Sequence, residues 1–413
     1  MGKHRVLYFH HGGAIGGAPL SLLFLLQQLD RDRWEPVVIA TRPGPVHDLY
    51  RQNNIPIYLA DEVGGHLDDF SHTTLEWYNF RHWWPLPSRL LRFPQAVRNA
   101  RRIVERFQPD LVHINSSTLA VAALGTSQAG VPLIWHIREP LARGYVGLRR
   151  AWLRRVIDRT AARVIAISRY DASHLIPSDR IRVIYNFVDF SRFDRSLSGD
   201  GVRAELGIAS SAPLILMLGG VAEPKGTLPL IEAMRLLLQR RPDARLLIAG
   251  PPPQVAQGAG VRGLAKHLLR VDTYDRRVLA AVEQINPPGT VIFTGVRQDI
   301  PHLLAASDVL VFPSTVPHFA RPVIEAAAMA RPAVASNLGG PAELIVDGET
   351  GILVPPGDPS VLAGALLDLL GAPDQAAAMG EAAYCRARDL FNAERNAQAT
   401  LAIYDELLSV TGD

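Results

Sequence analysis

Lys225 is one of only three lysines in the 413-residue chain, and it lies between two segments with different patterns. The apolar run 213–220 before it is typical of a buried strand, and 228–239 after it is typical of a helix with Thr227 as the N-cap. Free backbone N–H groups and the helix dipole at such a junction favour phosphate, and a lysine adds positive charge. The position predicts a diphosphate contact, with a solvated loop lysine as the alternative.

A second group of polar residues follows the apolar run 308–314, where prolines interrupt the chain until a helix is expected to begin near Pro322. This start places Glu325 in the first helical turn, where a carboxylate can accept hydrogen bonds from ribose hydroxyls or simply complement the helix dipole. His318 can bond to a sugar and Arg321 can pair with phosphate, or both can be ordinary surface residues.

The first half of the chain has a glycine-rich segment, with glycines at 12, 13, 16 and 17 between an apolar run and a helical pattern. These glycines allow the backbone to approach a phosphate or sugar, or allow a turn with positive φ. The spacing is not G-x-G-x-x-G and the next strand pattern ends without an acidic residue, which disfavours a dinucleotide oxidoreductase. His136, at the end of the run 132–137, is expected to face a ligand, with a structural histidine as the alternative.

Short apolar, β-branched runs alternate with helical patterns in two series, and this alternation predicts two parallel sheets. The polar, glycine- and serine-rich stretch 188–213 separates the series and predicts a hinge, with the boundary near 190–210. We therefore expect an α/β protein with an N-terminal Rossmann-like domain over 1–195 and a C-terminal one over 205–385. A helix over 386–413 is expected to pack back on the first domain. Ligands of such sheets bind beyond the carboxyl ends of the strands.

The composition excludes several classes of protein. With 48% hydrophobic and 20% charged residues the chain is globular, and Cys385 as the single cysteine allows no intrachain disulfide. No signal-peptide or membrane-spanning pattern is present, which predicts a cytoplasmic protein. No residues have metal-ligand spacing, no clear carboxylate pair suggests a glycoside hydrolase, and no nucleic-acid motif accompanies the basic residues.

Several segments resemble glycosyltransferase family 4, the retaining group 1 enzymes with the GT-B fold. They are "GGVAEPKG", "LLIAGPPP", "VIFTGVRQDIPHLLAASDVLVFPS" and "FARPVIEAAAMARPAVASNLGGPAELIVDGETGILVPPGDP", with "WHIREP", "AISRY" and "VIYNFVD" in the first half. The resemblance implies that Lys225 binds the donor diphosphate and Glu325 the nucleotide ribose. It also implies that His136 contacts the donor sugar. Two family positions differ, because a phosphate-binding arginine is replaced by Gly220 and the first glutamate of the E-x7-E pattern by Pro317.

The resemblance implies transfer of a sugar, with retention, from a nucleotide diphosphate sugar to a glycan or lipid-linked acceptor, without cofactor or metal. Its catalytic residues would be His136, Lys225 and Glu325, and its acceptor-binding residues Asn115 and Arg138. The donor-binding residues would be Gly16, Gly17, Gly220, Lys225, Val296, His318, Phe319, Ala320, Arg321 and Glu325. A partner subunit that binds nucleotide or glycan without turnover, and a nucleotide-sugar epimerase, are the alternatives.

Two stretches that combine aromatic residues with arginines suggest contact with an anionic membrane surface, or else a solvated arginine face. The first contains Trp77, Tyr78, Phe80, Arg81, Trp83, Trp84, Arg89 and Arg92, and the second contains Arg149, Arg150, Arg154, Arg155 and Arg159.

Overall fold

The structure is a computed structural model that describes residues 2–13, 16–67, 86–254 and 273–410. Its contacts divide the chain into two compact units. The first unit contains Met1–Phe187 together with Ala393–Asp413, and the second contains Val188–Asn392. The division thus lies just before the 190–210 region expected from the sequence, and the last helix belongs to the first unit.

The first unit is built on a parallel sheet of seven strands in the order β3-β2-β1-β4-β5-β6-β7. The strands are β1 His4–His10, β2 Trp34–Ala40, β3 Ile57–Leu59, β4 Leu111–Ile114, β5 Leu133–Ile137, β6 Arg163–Ala166 and β7 Ile181–Val183. The helices are α1 Gly17–Gln27, α2 Val46–Gln52, α3 Ala60–Val63, α4 Leu86–Phe107, α5 Ala120–Gln128, α6 Leu148–Thr160 and α7 Arg169–Ser173, with α16 Ala393–Val410 at the C-terminal end.

Both faces of this sheet are covered by apolar side chains, because alternate residues of each strand point to opposite faces. Leu7 and Phe9 of β1 belong to the core beneath α4 and α5, whereas Val6 and Tyr8 belong to the core that includes Tyr404 of α16. The C-terminal helix is therefore part of the buried core of the first unit.

The second unit has a parallel sheet of six strands in the order β10-β9-β8-β11-β12-β13. The strands are β8 Leu214–Leu218, β9 Arg245–Ala249, β10 Val291–Gly295, β11 Val309–Phe312, β12 Ala333–Ser336 and β13 Ile352–Val354. The helices are α8 Asp200–Glu205, α9 Thr227–Leu237, α10 Tyr274–Glu283, α11 Ile300–Ala306, α12 Arg321–Ala328, α13 Pro341–Leu344, α14 Pro359–Gly371 and α15 Pro373–Leu390.

The two predicted series of parallel strands are confirmed. The short edge strand β3 was not predicted, since three residues are too few for an apolar pattern to stand out. Among the described residues, no helix has the length and apolar character needed to cross a membrane.

Candidate functional site

In the second unit, the loops that follow β8 and β11 are joined by hydrogen bonds at the carboxyl edge of the sheet. The Ser314 hydroxyl and the Thr315 N–H both donate to the carbonyl of Pro224, at 2.9 Å and 3.1 Å. The Thr315 hydroxyl donates to the carbonyl of Glu223 at 3.1 Å. The two strands are neighbours, although three helices and two strands separate them in the described chain. Such a switch point is where open α/β sheets bind ligands.

Lys225 lies at this switch point with its ammonium partly buried. Burial alone lowers its pKa, and among the described residues no group forms an ion pair or hydrogen bond with it. Gly219 has a φ of +109°, which favours glycine, and a Cβ placed on it would lie 2.3 Å from Lys225 Nζ, so the ammonium lies directly against this backbone. A desolvated cation without a counter-charge is suited to bind an anion, and the diphosphate contact predicted for this position stays a prediction.

Gly220 is required by the backbone, which explains the missing arginine. Its φ is +75°, and a Cβ there would lie 2.5 Å from the backbone N and O of Pro251. Its N–H donates to the carbonyl of Ala249 at 3.0 Å. An arginine at 220 would need a different path for two loops, so the loss of that charge is part of the local fold.

The cap of helix α9 differs from the prediction. Gly226, with a left-handed φ of 71°, is the N-cap, and Thr227 is the first helical residue. A Cβ at Gly226 would lie 1.8 Å from the carbonyl oxygen of Pro313, so the β11 loop excludes any side chain at the cap.

His318 lies next to Lys225, whose charge, together with the larger effect of burial, lowers its pKa. Its Nδ1 is 3.0 Å from the carbonyl oxygen of Val316 and 3.2 Å from Ser314 Oγ. A carbonyl only accepts, so Nδ1 carries the proton and the neutral ring leaves Nε2 as an acceptor. His318 is therefore suited to accept a hydrogen bond from a ligand hydroxyl.

The loop that carries His318 is shaped by two glycines of the loop after β12. A Cβ on Gly339 would lie 2.8 Å from Pro317 Cβ, and one on Gly340 would lie 2.9 Å from Phe319 Cα. Ala320 is fully buried beneath this contact. Close packing of these two loops therefore sets the backbone path before α12, and the predicted donor contacts of Phe319 and Ala320 stay predictions.

Val296, another predicted donor contact, is 69% exposed directly after β10.

Glu325 lies in the second turn of α12 and not in the first turn as predicted, because the helix begins at Arg321. Charge–dipole complementarity at the N-terminus therefore does not explain this residue. Burial raises its pKa, and the Arg321 Nε, which donates to Glu325 Oε1 at 2.9 Å, opposes the rise. The structure thus places Arg321 against Glu325, and the predicted phosphate contact of Arg321 stays a prediction.

In the first unit, the predicted acceptor residues Asn115 and Arg138 are bonded to each other. Arg138 is buried; its Nε donates to Asn115 Oδ1 at 2.9 Å and its Nη1 to Asn186 Oδ1 at 2.8 Å. Asn115 Nδ2 in turn lies 3.4 Å from Nδ1 of His10, the last residue of β1. His10, Asn115 and Arg138 therefore form one buried polar group at the carboxyl edge of β1, β4 and β5.

His136 lies at the carboxyl end of β5, as expected, and its predicted contact with a ligand stays a prediction. Its side chain is buried, and Nδ1 is 3.1 Å from Nε2 of His113 on the neighbouring strand. Burial, followed by the charge of Arg138, lowers its pKa well below the usual value. Its Nε2 is buried with no hydrogen-bond partner among the described residues. The ring is neutral and has one unused position.

The glycines of the first loop differ in what constrains them. A Cβ on Gly13 would lie 2.0 Å from the carbonyl oxygen of Pro43, so close packing of two loops requires glycine there. Gly16, the N-cap of α1, and Gly17 have open space around the Cβ position. Packing within the unit therefore does not explain these two glycines, and they leave the backbone accessible to a ligand.

The predicted arginine surface is only partly exposed. Arg149 is buried, and the guanidinium groups of Arg150 and Arg154 donate to the carbonyls of Leu141 and Leu175. These arginines cap backbone groups, as buried cations usually must. Arg155 and Arg159 are exposed, as is Arg92 of α4, whereas Arg89 is half-buried. The aromatic residues at 77, 78, 80, 83 and 84 and Arg81 lie outside the described residues.

Sequence reasoning missed Gly219, Ser314, His10, His113 and Tyr404. The doublet at 219–220 was a usable signal, since two glycines directly after a strand often mark a close backbone approach. The others are recognised only through contacts with distant parts of the chain. In the described ranges, no three His, Cys, Asp or Glu side chains come together as a potential metal site.

Comparison with known proteins agrees with this geometry. Residues 200–386 match the glycosyl transferases group 1, and residues 15–192 match Glycosyltransferase Family 4. The chain is 31% identical over 339 residues to a D-inositol 3-phosphate glycosyltransferase of Streptomyces scabiei, a match that covers 77% of this chain and 73% of the relative. The chain belongs to glycosyltransferase family 4. It is a nucleotide-sugar glycosyltransferase with the GT-B fold.

This family 4 glycosyltransferase is also similar to a relative with a different name and to several solved structures. Alpha-maltose-1-phosphate synthase of Mycolicibacterium smegmatis is 30% identical over 314 residues, covering 71% of this chain and 75% of the relative. Among solved structures, a glycosyltransferase from Rickettsia africae has a TM-score of 0.77 at 21% identity, with 99% of each chain covered. Anabaena HepE, crystallised with UDP and glucose, has a TM-score of 0.76 at 22% identity, with 98% of this chain and all of that chain covered. These structures share the fold.

Proposed function

We propose that this glycosyltransferase transfers a sugar, with retention of configuration, from a nucleotide diphosphate sugar to a hydroxyl of a glycan or lipid-linked acceptor in glycoconjugate biosynthesis. The observation that carries the proposal is Lys225, a partly buried ammonium at the sheet switch point that no described residue neutralises. A diphosphate would supply the missing negative charge.

The second unit supplies the donor contacts. Lys225 and the backbone at Gly220 hold the diphosphate, and Glu325 accepts hydrogen bonds from the ribose. His318 offers a neutral acceptor to the sugar, on the loop where Pro317 replaces the family glutamate. Val296 supplies an exposed apolar side chain for the base. The crystallisation of the structurally similar HepE with UDP and glucose supports a uridine donor as the first to be tried.

The first unit supplies the acceptor contacts through its buried polar group. Asn115 and Arg138 are fixed by mutual hydrogen bonds, so their positions are set before a ligand arrives. The backbone at Gly16 and Gly17 is accessible for the donor sugar or phosphate. His136 would contact the donor sugar.

Catalysis in this proposal is electrostatic. Cleavage of the glycosidic bond leaves positive charge on the sugar ring and negative charge on the departing diphosphate, and a preformed cation near that diphosphate lowers the barrier. Lys225 has already lost part of its hydration, so its interaction with the developing charge is screened less than in water.

A donor panel tests the proposal. UDP-, GDP- and ADP-linked sugars are incubated with glycan and polyprenyl-phosphate-linked acceptors, and the product linkage is assigned by NMR. Transfer with the anomeric configuration of the donor is the expected result. An inverted product contradicts retention, and failure of every nucleoside diphosphate to bind by calorimetry contradicts the donor site. Epimerised sugar without acceptor would favour the epimerase.

We also propose that the first unit contacts an anionic lipid surface when the acceptor is lipid-linked. Val146 is 88% exposed and Leu148 is 73% exposed at the start of α6. Arg155 and Arg159 follow Leu148 at seven and eleven residues, which places them on the same helix face. Exposed apolar side chains beside cations suit the headgroup region of a membrane.

Flotation with vesicles tests this contact. Binding to phosphatidylglycerol vesicles but not to phosphatidylcholine vesicles is expected, with loss of binding in a Val146→Glu, Leu148→Glu double variant. Val361→Glu, an exposed valine of the second unit, is the matched control and should bind as the wild type does. Equal binding to both lipids, or none to either, contradicts the proposal.

A further inference from the structure

A buried chain of hydrogen bonds crosses the first unit from the C-terminal helix to His136. The Tyr404 hydroxyl of α16 donates to the Tyr8 hydroxyl at 3.2 Å and lies 2.7 Å from His113 Nδ1. His113 Nε2 lies 3.1 Å from His136 Nδ1. All four side chains are buried, so water does not compete for these bonds. They connect β1, α16, β4 and β5.

The four groups are neutral at physiological pH. Burial lowers the pKa of His113 to about 3 and lowers that of His136 well below its usual value, with Arg138 contributing to both. Burial also raises the pKa values of Tyr8 and Tyr404. A neutral imidazole has one donor and one acceptor nitrogen, and each hydroxyl has one proton. The direction of one bond therefore sets the direction of the others.

We assign the Tyr404 proton to Tyr8, because Tyr404 is the donor in the hydrogen bond between the two tyrosines. Tyr404 must then accept from His113, so His113 carries its proton on Nδ1 and accepts on Nε2. His136 must donate from Nδ1, which leaves its Nε2 as a lone pair. If every bond ran in the opposite direction, His136 would hold an unpaired proton on a rigid ring. In the direction assigned, the unpaired proton is on the Tyr8 hydroxyl, which can rotate.

His10 is set in the complementary state. Arg138 only donates, so the Asn115 atom that it contacts is the oxygen and the other is the amide nitrogen. That nitrogen donates to His10 Nδ1 at 3.4 Å. Burial, with Arg138 among the smaller contributions, lowers the pKa of His10 to about 3, so the neutral ring carries its proton on Nε2. This N–H is also buried without a partner among the described residues.

The register places these two histidines on the same face and at the same level of the sheet. Phe9 pairs with Ile114, and Ile114 pairs with Trp135, so the residues that follow, His10, Asn115 and His136, are level on three adjacent strands. Their side chains point to one face because successive residues alternate. One histidine offers a donor and the other an acceptor.

We propose that His10 and His136 form a subsite for uncharged hydroxyl groups of the acceptor or donor, and that Tyr8, Tyr404 and His113 are positioning residues that keep His136 Nε2 an acceptor. A hydroxyl can accept from His10 Nε2 and can donate to His136 Nε2, whereas a phosphate oxygen can only accept. The inference extends the proposed function from the class of reaction to the chemistry of one contact.

The test uses Tyr8→Phe, which removes a single oxygen three hydrogen bonds away from His136. Without an acceptor at Tyr8, the Tyr404 proton turns to His113 and the chain reverses, so His136 gains a proton on Nε2. Tyr50→Phe is the matched control, because Tyr50 is a buried tyrosine of the same core whose hydroxyl donates to the carbonyl of Pro19. Nitrogen-15 NMR of histidine-labelled full-length protein reports each tautomer, with His136 assigned by His136→Gln.

The expected results are an unprotonated His136 Nε2 in the wild type and in Tyr50→Phe, and a protonated one in Tyr8→Phe. A protonated Nε2 in the wild type, or the same tautomer in Tyr8→Phe, overturns the inference. In the transfer assay, kcat/KM should fall at least about 10-fold in Tyr8→Phe and change less than about threefold in Tyr50→Phe. Equal losses would overturn the subsite. An inactive wild type would count against the proposed function, while the NMR result would still decide the tautomer.

Discussion

Replacement of Lys225 by methionine should weaken nucleotide binding without harming the fold. An ammonium about 4 Å from a phosphate charge gains roughly 4 kcal/mol at the effective dielectric constant of a partly buried site. Part of that gain is offset, because hydrogen bonds to charged groups contribute about 1.5–3 kcal/mol after desolvation. We therefore expect a loss of about 2 kcal/mol, or about 30-fold in Kd for a nucleoside diphosphate.

The same substitution should leave the stability of the ligand-free protein unchanged or slightly raised. Burial lowers the Lys225 pKa, so the unfolded lysine holds its proton to higher pH than the folded one. The charged lysine therefore reduces stability at neutral pH, and this cost disappears as the pH rises from the folded pKa to the ordinary lysine value of 10.5. Methionine keeps a similar length and removes the charge.

Calorimetry with UDP, GDP and ADP at fixed ionic strength measures the binding, and thermal unfolding measures the stability. Lys3→Met is the matched control, because Lys3 is a lysine of the first unit, 3.9 Å from Asp32, with 53% of its side chain exposed. It should bind as the wild type does. A Kd for Lys225→Met within about twofold of the wild type, or a large loss of stability in that variant, would refute the assignment of a desolvated anion-binding lysine.

Other substitutions test the second unit. Gly220→Arg should lower the free energy of unfolding by about 1–3 kcal/mol, because position 220 has a positive φ and a Cβ there would contact Pro251. Gly201→Arg is the control and should change it little, because the space around Gly201 is open. Equal denaturation midpoints for the two variants would contradict this. Arg321→Met should lower the free energy of unfolding by about 3 kcal/mol, because it leaves the carboxylate of Glu325 unpaired. Glu325→Gln should lower it by only about 1 kcal/mol. If urea unfolding shows the larger loss for Glu325→Gln, the ion pair does not have this role. Because the folded pKa of Glu325 is raised, the stability of the wild type relative to Glu325→Gln should increase as the pH falls toward the ordinary carboxyl value of 4.5, and a decrease would show that the sign is wrong.

The sequence by itself determined the two parallel sheets, and it predicted where a ligand would bind. Apolar runs in two series predicted nearly all the strands, because buried parallel strands need continuous apolar segments. The placement of Lys225 between a strand and a helix was also readable, since the chemistry of that junction depends on adjacent residues. The resemblance of the second half to glycosyltransferase family 4 was readable from local motifs.

Contacts between distant parts of the chain decided the rest. The requirement for glycine at 220 comes from its positive φ and from the backbone of Pro251, and the sequence does not show which loop approaches this position. The start of α12, which moved Glu325 into the second turn, depends on how its preceding loop packs on Gly339 and Gly340. The tautomer of His136 depends on Tyr404, a residue on a different element that only the folded chain brings near. Tertiary structure decides such features because burial and hydrogen-bond direction are set by neighbours in space.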